Sequence, residues 1–283
     1  MTPATGYALR DANRPYTDDW AWNAVEVDFQ QANHPLRTGP FLEGLSFDYV
    51  SVHALELSVS SPDPPEARYL DALVEVAHEN GAVAITDHLG FNHGRRGEAG
   101  AGHVMTPPLT RAALDATCRN IERIQRQFAP FGFYVENLAH FFLLAGEMDE
   151  ASFFDRMLRR TGCGLLLDIT NAYANQVNFG ADARDFIAAA LAGAARVQMH
   201  LAGGFFHTER GRYIDSHSEP IPEEVWELYR LALDIAGDKV DAVFIERDWN
   251  FPAEAGWRSE AHKARAIAEA ASRGSLAGAP SCR

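Results

Sequence analysis

The sequence holds a run of short apolar segments that each end in a side chain able to ligate a metal. His53 closes VSVH, His88 follows AITD, Glu136 closes FYVE, and Asp168 closes LLLD with Asn171 three residues on. His200 closes VQMH and Glu246 closes FIE, while Asp215 and His217 stand together in YIDSHSEPIP. The set is made of imidazoles, carboxylates and one amide, with no thiolate and no Lys or Arg at the segment ends. Carboxylates gathered in a partly dry cleft repel one another, and divalent cations remove that repulsion. Imidazole with carboxylate suits Fe, Mn or Zn. The ligands outnumber what one ion uses, so two or three ions bridged by Glu136 are expected. A lone histidine at such a position is more often a hydrogen-bonded core residue. On that ground His34, His78, His93, His103, His140, His207 and His262 are read as surface or supporting residues. Six successive segments ending in His, His, Glu, Asp, His and Glu are not what packing alone produces.

For these residues to meet, their segments must be parallel strands opening onto one face. The pattern predicts eight strands, at 6–9, 24–28, 49–55, 82–86, 132–136, 164–168, 197–200 and 242–246. Helical spacing separates the later ones: Leu70, Leu73, Val74 and Ala77 share a face, as do Leu114, Cys118, Ile121 and Phe128. Further helices are expected at 152–160, 183–192, 222–236 and 259–272, whereas the first connections are short and irregular. Alternating strands and helices with a strand count of eight predict an α/β fold, a (β/α)8 TIM barrel. The expected division is one barrel domain over 1–272 and a disordered tail over 273–283, within a chain of 283 residues.

Composition narrows the function. A formal net charge of −14 and the lack of any Lys/Arg run argue against nucleic acid. No apolar run is long enough to span a membrane, and the N-terminus has no signal-peptide core. Three cysteines (Cys118, Cys163 and Cys282) are too few for a disulfide scaffold, which fits a reducing cytoplasm. No GxGxxG follows a strand, so hydride transfer from a nicotinamide is not indicated. Residues 90–108 and 202–222 form long loops of the kind that cover active sites. Their Arg95, Arg96, Arg210 and Arg212 either meet carboxylates of an acidic peptide or are simply solvated; Trp249 and Phe251 either line the mouth or pack on its rim.

The segments TDHLGF, FYVENLAH, LLLDITNAYANQVNFG, MHLAG and IDSHSEPIPEEVWELY resemble the multinuclear non-haem iron-dependent oxidases (MNIO). That family modifies ribosomally made peptides and includes the methanobactin and 3-thiaglutamate biosynthesis enzymes. The resemblance runs from about Val25 to Glu246. It implies a TIM barrel with two or three iron ions in mixed Fe(II)/Fe(III) states and O2 as co-substrate. It also implies a Cys-containing precursor peptide and a separate small partner protein that holds the leader peptide. By position, one iron would take His53, His88 and Glu136, and a second would share Glu136 and take Asp168, His200 and Glu246. A third would take Asn171, Asp215 and His217. Glu136, Asp168, His200 and Glu246 would be the catalytic group. The plan is similar to that of endonuclease IV, where the position of Asn171 is a histidine; an amide is the poorer ligand, so the third site is expected to be labile. A metal-dependent hydrolase or sugar isomerase on the same barrel is the alternative, since these ligand types serve iron and zinc alike. A basic groove for the first and a Lys beside the substrate for the second are both missing from the pattern.

Overall fold

The computed structural model describes residues 2–14, 22–93 and 103–277. Strands β1 (Ala4–Leu9), β2 (Ala24–Asp28), β3 (Tyr49–His53), β4 (Ala84–His88), β5 (Gly132–Glu136), β6 (Gly164–Asp168) and β7 (Val197–Leu201) precede a two-stranded hairpin. The hairpin is β8 (Phe205–His207) and β9 (Arg212–Ile214), and β10 (Val240–Ile245) follows. Every barrel pair is parallel, and the closed order is β1-β10-β7-β6-β5-β4-β3-β2. The protein is a TIM barrel.

Strand side chains alternate between two faces, and here the alternation separates core from site. Val25 and Val27 of β2 join the large cluster between strands and helices, whereas Ala24 joins Ala242 and Phe244 inside the barrel. Ala84, Tyr134 and Leu166 form a second interior group. Counting on by twos from these interior residues reaches His88, Glu136, Asp168 and Glu246 at the carboxyl ends. The opposite end is closed by polar contacts: Gln198 donates to the Tyr49 hydroxyl (2.9 Å) and Tyr134 donates to Asp241 (2.7 Å). At the seam, Gly6 lets β1 lie against β2; a Cβ there would fall 1.9 Å from the Ala24 carbonyl oxygen.

The helices are α1 (Phe29–Ala32), α2 (Ala67–Glu79), α3 (Arg111–Phe128), α4 (Glu150–Thr161), α5 (Ile169–Phe179), α6 (Ala183–Gly193), α7 (Glu223–Ala236) and α8 (Glu254–Ala277). Thr110 and Asp149 cap α3 and α4 by accepting from Ala113 N and Ser152 N, and Gly162 ends α4 in the left-handed region. α1 is a single turn, in line with the irregular early connections. Several elements depart from the expected pattern. α5 has no apolar stripe because its buried positions include Thr170, Asn171 and Asn175, and the 202–222 segment contains the β8–β9 hairpin. α8 continues to Ala277, past the boundary expected at 272. Cys118 and Cys163 are buried, as core residues. Cys282, Arg95, Arg96 and the rest of residues 94–102 in the 90–108 loop lie outside the described residues. No helix among the described residues is long and apolar enough to cross a membrane.

Candidate metal centre

The carboxyl ends of the strands form an open cavity of about 870 Å³ whose wall includes His53, His88, Glu136, Asn171, Asp215, His217 and Glu246. Three groups of possible ligand atoms gather at its floor: His53, His88 and Glu136; Glu136, Asp168, His200 and Glu246; and His217, Glu246 and Asp248. Glu136 belongs to the first two and Glu246 to the last two.

Local bonding turns a particular atom of each residue inward. His53 Nδ1 lies 2.8 Å from the Thr86 hydroxyl, which leaves Nε2 3.6 Å from Glu136 Oε2. His88 Nε2 lies 3.5 Å from the same oxygen. The other oxygen, Glu136 Oε1, lies 3.4 Å from His200 Nδ1, so one carboxylate faces both groups. Asp168 ends β6 and caps α5: its Oδ1 accepts from Asn171 N (2.6 Å), while Oδ2 has no hydrogen-bond partner. Asn171 Nδ2 donates to the Asn137 carbonyl (2.9 Å), which leaves Oδ1 buried without a partner. His217 Nε2 lies 3.0 Å from Asp215 Oδ1, and its Nδ1 lies 3.2 Å from Glu246 Oε2 and 3.3 Å from Asp248 Oδ2. Its backbone sits at φ 48°, a left-handed conformation that costs a non-glycine residue about 1–3 kcal/mol.

Buried polar atoms without partners are rare, and several of those present here belong to the ligand set. Glu136 Oε2, Asp168 Oδ2, Asn171 Oδ1, His200 Nδ1, Asp215 Oδ1 and His217 Nε2 are all in that state. Nitrogen and oxygen donors crowded at 3–4 Å, without hydrogen bonds to satisfy them, fit metal ions placed between them.

The electrostatics agree. Burial lowers the affinity of His200 for protons, but Glu26, Glu136 and Glu246 carry its pKa well above the usual histidine range. His217 is raised likewise against burial, by Asp215 and Glu246. His88, opposed by burial and lifted by Glu136 and Asp87, reaches about 9. His53 goes the other way, depressed by burial and then by His88 and His200. Burial and the nearby Asp215 and Glu136 hold the Asp168 carboxyl well above its ordinary value. Glu246 is depressed against burial by His217 and His200.

All nine residues singled out in the sequence therefore reach one end of the barrel. Sequence reasoning missed three more. Glu26, fully buried, accepts from His200 Nε2 (2.9 Å), an arrangement that fixes the tautomer and turns Nδ1 to the site. Its signal was a carboxylate inside the apolar strand AVEVD, on the inward phase. Asp248 lies two residues past Glu246 and joins His217. Arg10 corrects the expectation that no cation stands at a strand end. It is the first residue after β1, is buried, and pairs with Glu246 Oε1 and Asp248 Oδ1, both at 2.9 Å. Arg10 thereby occupies one oxygen of Glu246 and leaves Oε2 alone facing the histidines. Of the residues given default roles, His140 pairs with Glu150 (2.9 Å), and His103, Trp249 and Phe251 line the cavity wall.

Fold and site together define a TIM barrel with grouped side chains able to ligate metal at its open end. The chain belongs to the MbnB/TglH/ChrH family of RiPP precursor modification enzymes, whose family model matches residues 32–269. A "UPF0276 protein" of Chromobacterium violaceum is 33% identical over 219 residues, covering 77% of this chain and 76% of that one. Another from Caulobacter vibrioides is 31% identical over 280 residues, covering 94% and 95%. Among solved structures, an L-ribulose 3-epimerase superposes with TM-score 0.57 at 14% identity, over 96% of this chain and 93% of that one. A xylose isomerase-like TIM barrel protein from Mycobacterium smegmatis, in complex with magnesium, gives 0.52 at 11%, over 92% and 87%. At such identity these likenesses concern the fold alone.

Proposed function

We propose that this protein is a multinuclear non-haem iron oxidase that uses O2 to modify a cysteine of a ribosomally made precursor peptide in the cytoplasm. The observation that carries the reading is the shared Glu136. One oxygen faces His53 and His88 and the other faces His200, at the floor of a cavity wide enough for a peptide segment. His53, His88 and Glu136 would hold one ion; Glu136, Asp168, His200 and Glu246 a second; Asn171, Asp215 and His217 a third and weaker one. Iron supplies the one-electron chemistry that O2 requires and that zinc, with no redox change, does not.

The rest of the reaction falls to the protein. Glu26 and Thr86 fix the tautomers of His200 and His53, so that neutral nitrogens point inward. The cavity wall holds the peptide with its thiolate toward the ligand groups, a positioning effect on the neighbouring Cβ–H bonds. Glu136, Asp168, His200 and Glu246 form the reacting floor, all nearly or fully buried, which keeps bulk water from it. A separate leader-binding protein would present the peptide.

The test has two parts. Elemental analysis after anaerobic purification should find more than one iron per chain; Asp215→Ala should lose one ion and keep the others, and Glu136→Gln should lose the bridged pair and all activity. Candidate peptide, partner and enzyme are then incubated with and without O2, and the peptide mass is read. Modification without O2, or of a Cys→Ser peptide, overturns the mechanism. Hydrolysis of a phosphodiester by the same preparation would favour a hydrolase.

A further inference from the structure

We propose that Arg210 and Arg212 form a carboxylate-binding subsite of the mouth, selecting substrate peptides that carry a carboxylate about three residues from the reacting cysteine. The inference rests on the peptide-modifying reading above and adds the substrate's charge and spacing.

Both arginines line the same cavity as the ligand groups. Both belong to the β8–β9 hairpin: Arg210 lies in its turn and Arg212 begins β9. The other arginines described at this end of the barrel are committed. Arg10 holds Glu246 and Asp248, and Arg247 holds Glu260 (3.1 Å). Among the described residues Arg210 and Arg212 have no carboxylate partner, in a chain where acidic residues outnumber basic ones 39 to 25.

Arg212 is also held in place. Its Nη1 reaches the Phe141 carbonyl (3.4 Å), and its guanidinium lies 5.0 Å from the centre of the Phe179 ring. A stacked guanidinium has lost much of its rotamer freedom before any ligand arrives, and its remaining N–H groups match the two oxygens of a carboxylate. The floor of the cavity carries Glu136, Asp215 and Glu246. The chain's net charge of −14 repels an acidic peptide, and two cations at the rim offset that repulsion where the peptide enters. Asp215 follows Arg212 by three residues along an extended segment, about 10 Å at ~3.3 Å per residue. An extended peptide with its cysteine at the floor covers that distance in about three residues. The carboxylate is either a Glu or Asp side chain or the peptide's own C-terminus.

The probes are unlabelled nonapeptides of Gly and Ser with a central Cys and an amidated end. One set carries Glu, Gln or Lys three positions before or after the Cys, and another ends three residues after the Cys in a free carboxylate. Binding to iron(II)-reconstituted protein is measured by calorimetry without O2. A carboxylate peptide should bind roughly tenfold more tightly than its Gln counterpart, the effect of one charge-assisted contact. Whether the Glu or the free C-terminus gives the gain identifies the source. Arg210→Gln with Arg212→Gln should remove the preference, leave the Gln peptide bound within about twofold, and leave iron content intact. Arg212→Glu should turn the preference toward Lys. A carboxylate preference that is absent, or that survives in the double variant, overturns the subsite. If binding still needs the Cys, as a Ser control shows, the peptide-modifying reading stands without it; if no peptide binds, the subsite falls, and the assay with full precursor and partner decides that reading separately.

Discussion

At the scale of single residues, His53, Asp168, Asn171, His200 and Glu246 each have one atom committed elsewhere and one turned to the site. Glu26 is the clearest case, since its only contribution is to hold His200. Glu26→Gln should keep the fold and weaken retention of the second ion by ~10–100-fold, as read by competition with a chelator; unchanged retention would show that His200 is oriented without it. Proton competition gives a second expectation. A metal takes only neutral imidazole, and the metal-free His88 holds its proton up to about pH 9. Metal affinity should therefore climb as pH rises from about 6.5 to 9, and each ion bound should release protons. A chelator titration across that range checks the slope. The stability of the metal-free fold should run the opposite way. A histidine whose folded pKa is raised stabilises most below 6.5 and loses that contribution as pH rises through 9. Urea midpoints of stripped protein at the two ends of the window test the sign.

At the scale of elements, the strand ends were legible in the sequence because each ligand closes a short apolar run. His53, His88, Glu136, Asp168, His200 and Glu246 could be read for that reason. Glu26 was not, because it sits in mid-strand, short of the carboxyl end at which the other ligands close their runs. α5 escaped because Asn171 and Asn175 turn inward to the site and to the β5–α4 loop, so its buried face is not an apolar one. The hairpin was hidden by strands of only three residues. Arg10 escaped because its partners lie 236 and 238 positions away, a contact that only barrel closure creates. That closure depends on close approach at β1. Gly6→Ala should destabilise the protein by about 1–3 kcal/mol through overpacking against Ala24, measured by urea unfolding.

At the scale of the whole molecule, ligands come from β3 through β10, so bound ions would tie most of the barrel together. Stripping them should lower the melting temperature by roughly 6–12 °C, for about 3 kcal/mol of lost binding. Scanning calorimetry before and after chelation checks this, and an unchanged Tm would mean that the cluster carries no ion as purified. The arrangement also sets a timetable. His53, His88 and Glu136 leave the ribosome well before Glu246, which arrives some 5–20 seconds later at ~5–20 residues per second. The oxygen of Glu246 is then oriented by Arg10, one of the first residues made. If ions bind as proposed, the first group is complete on the nascent chain while the second is complete only in the finished one, and a product cut short before β10 lacks Glu246 from it.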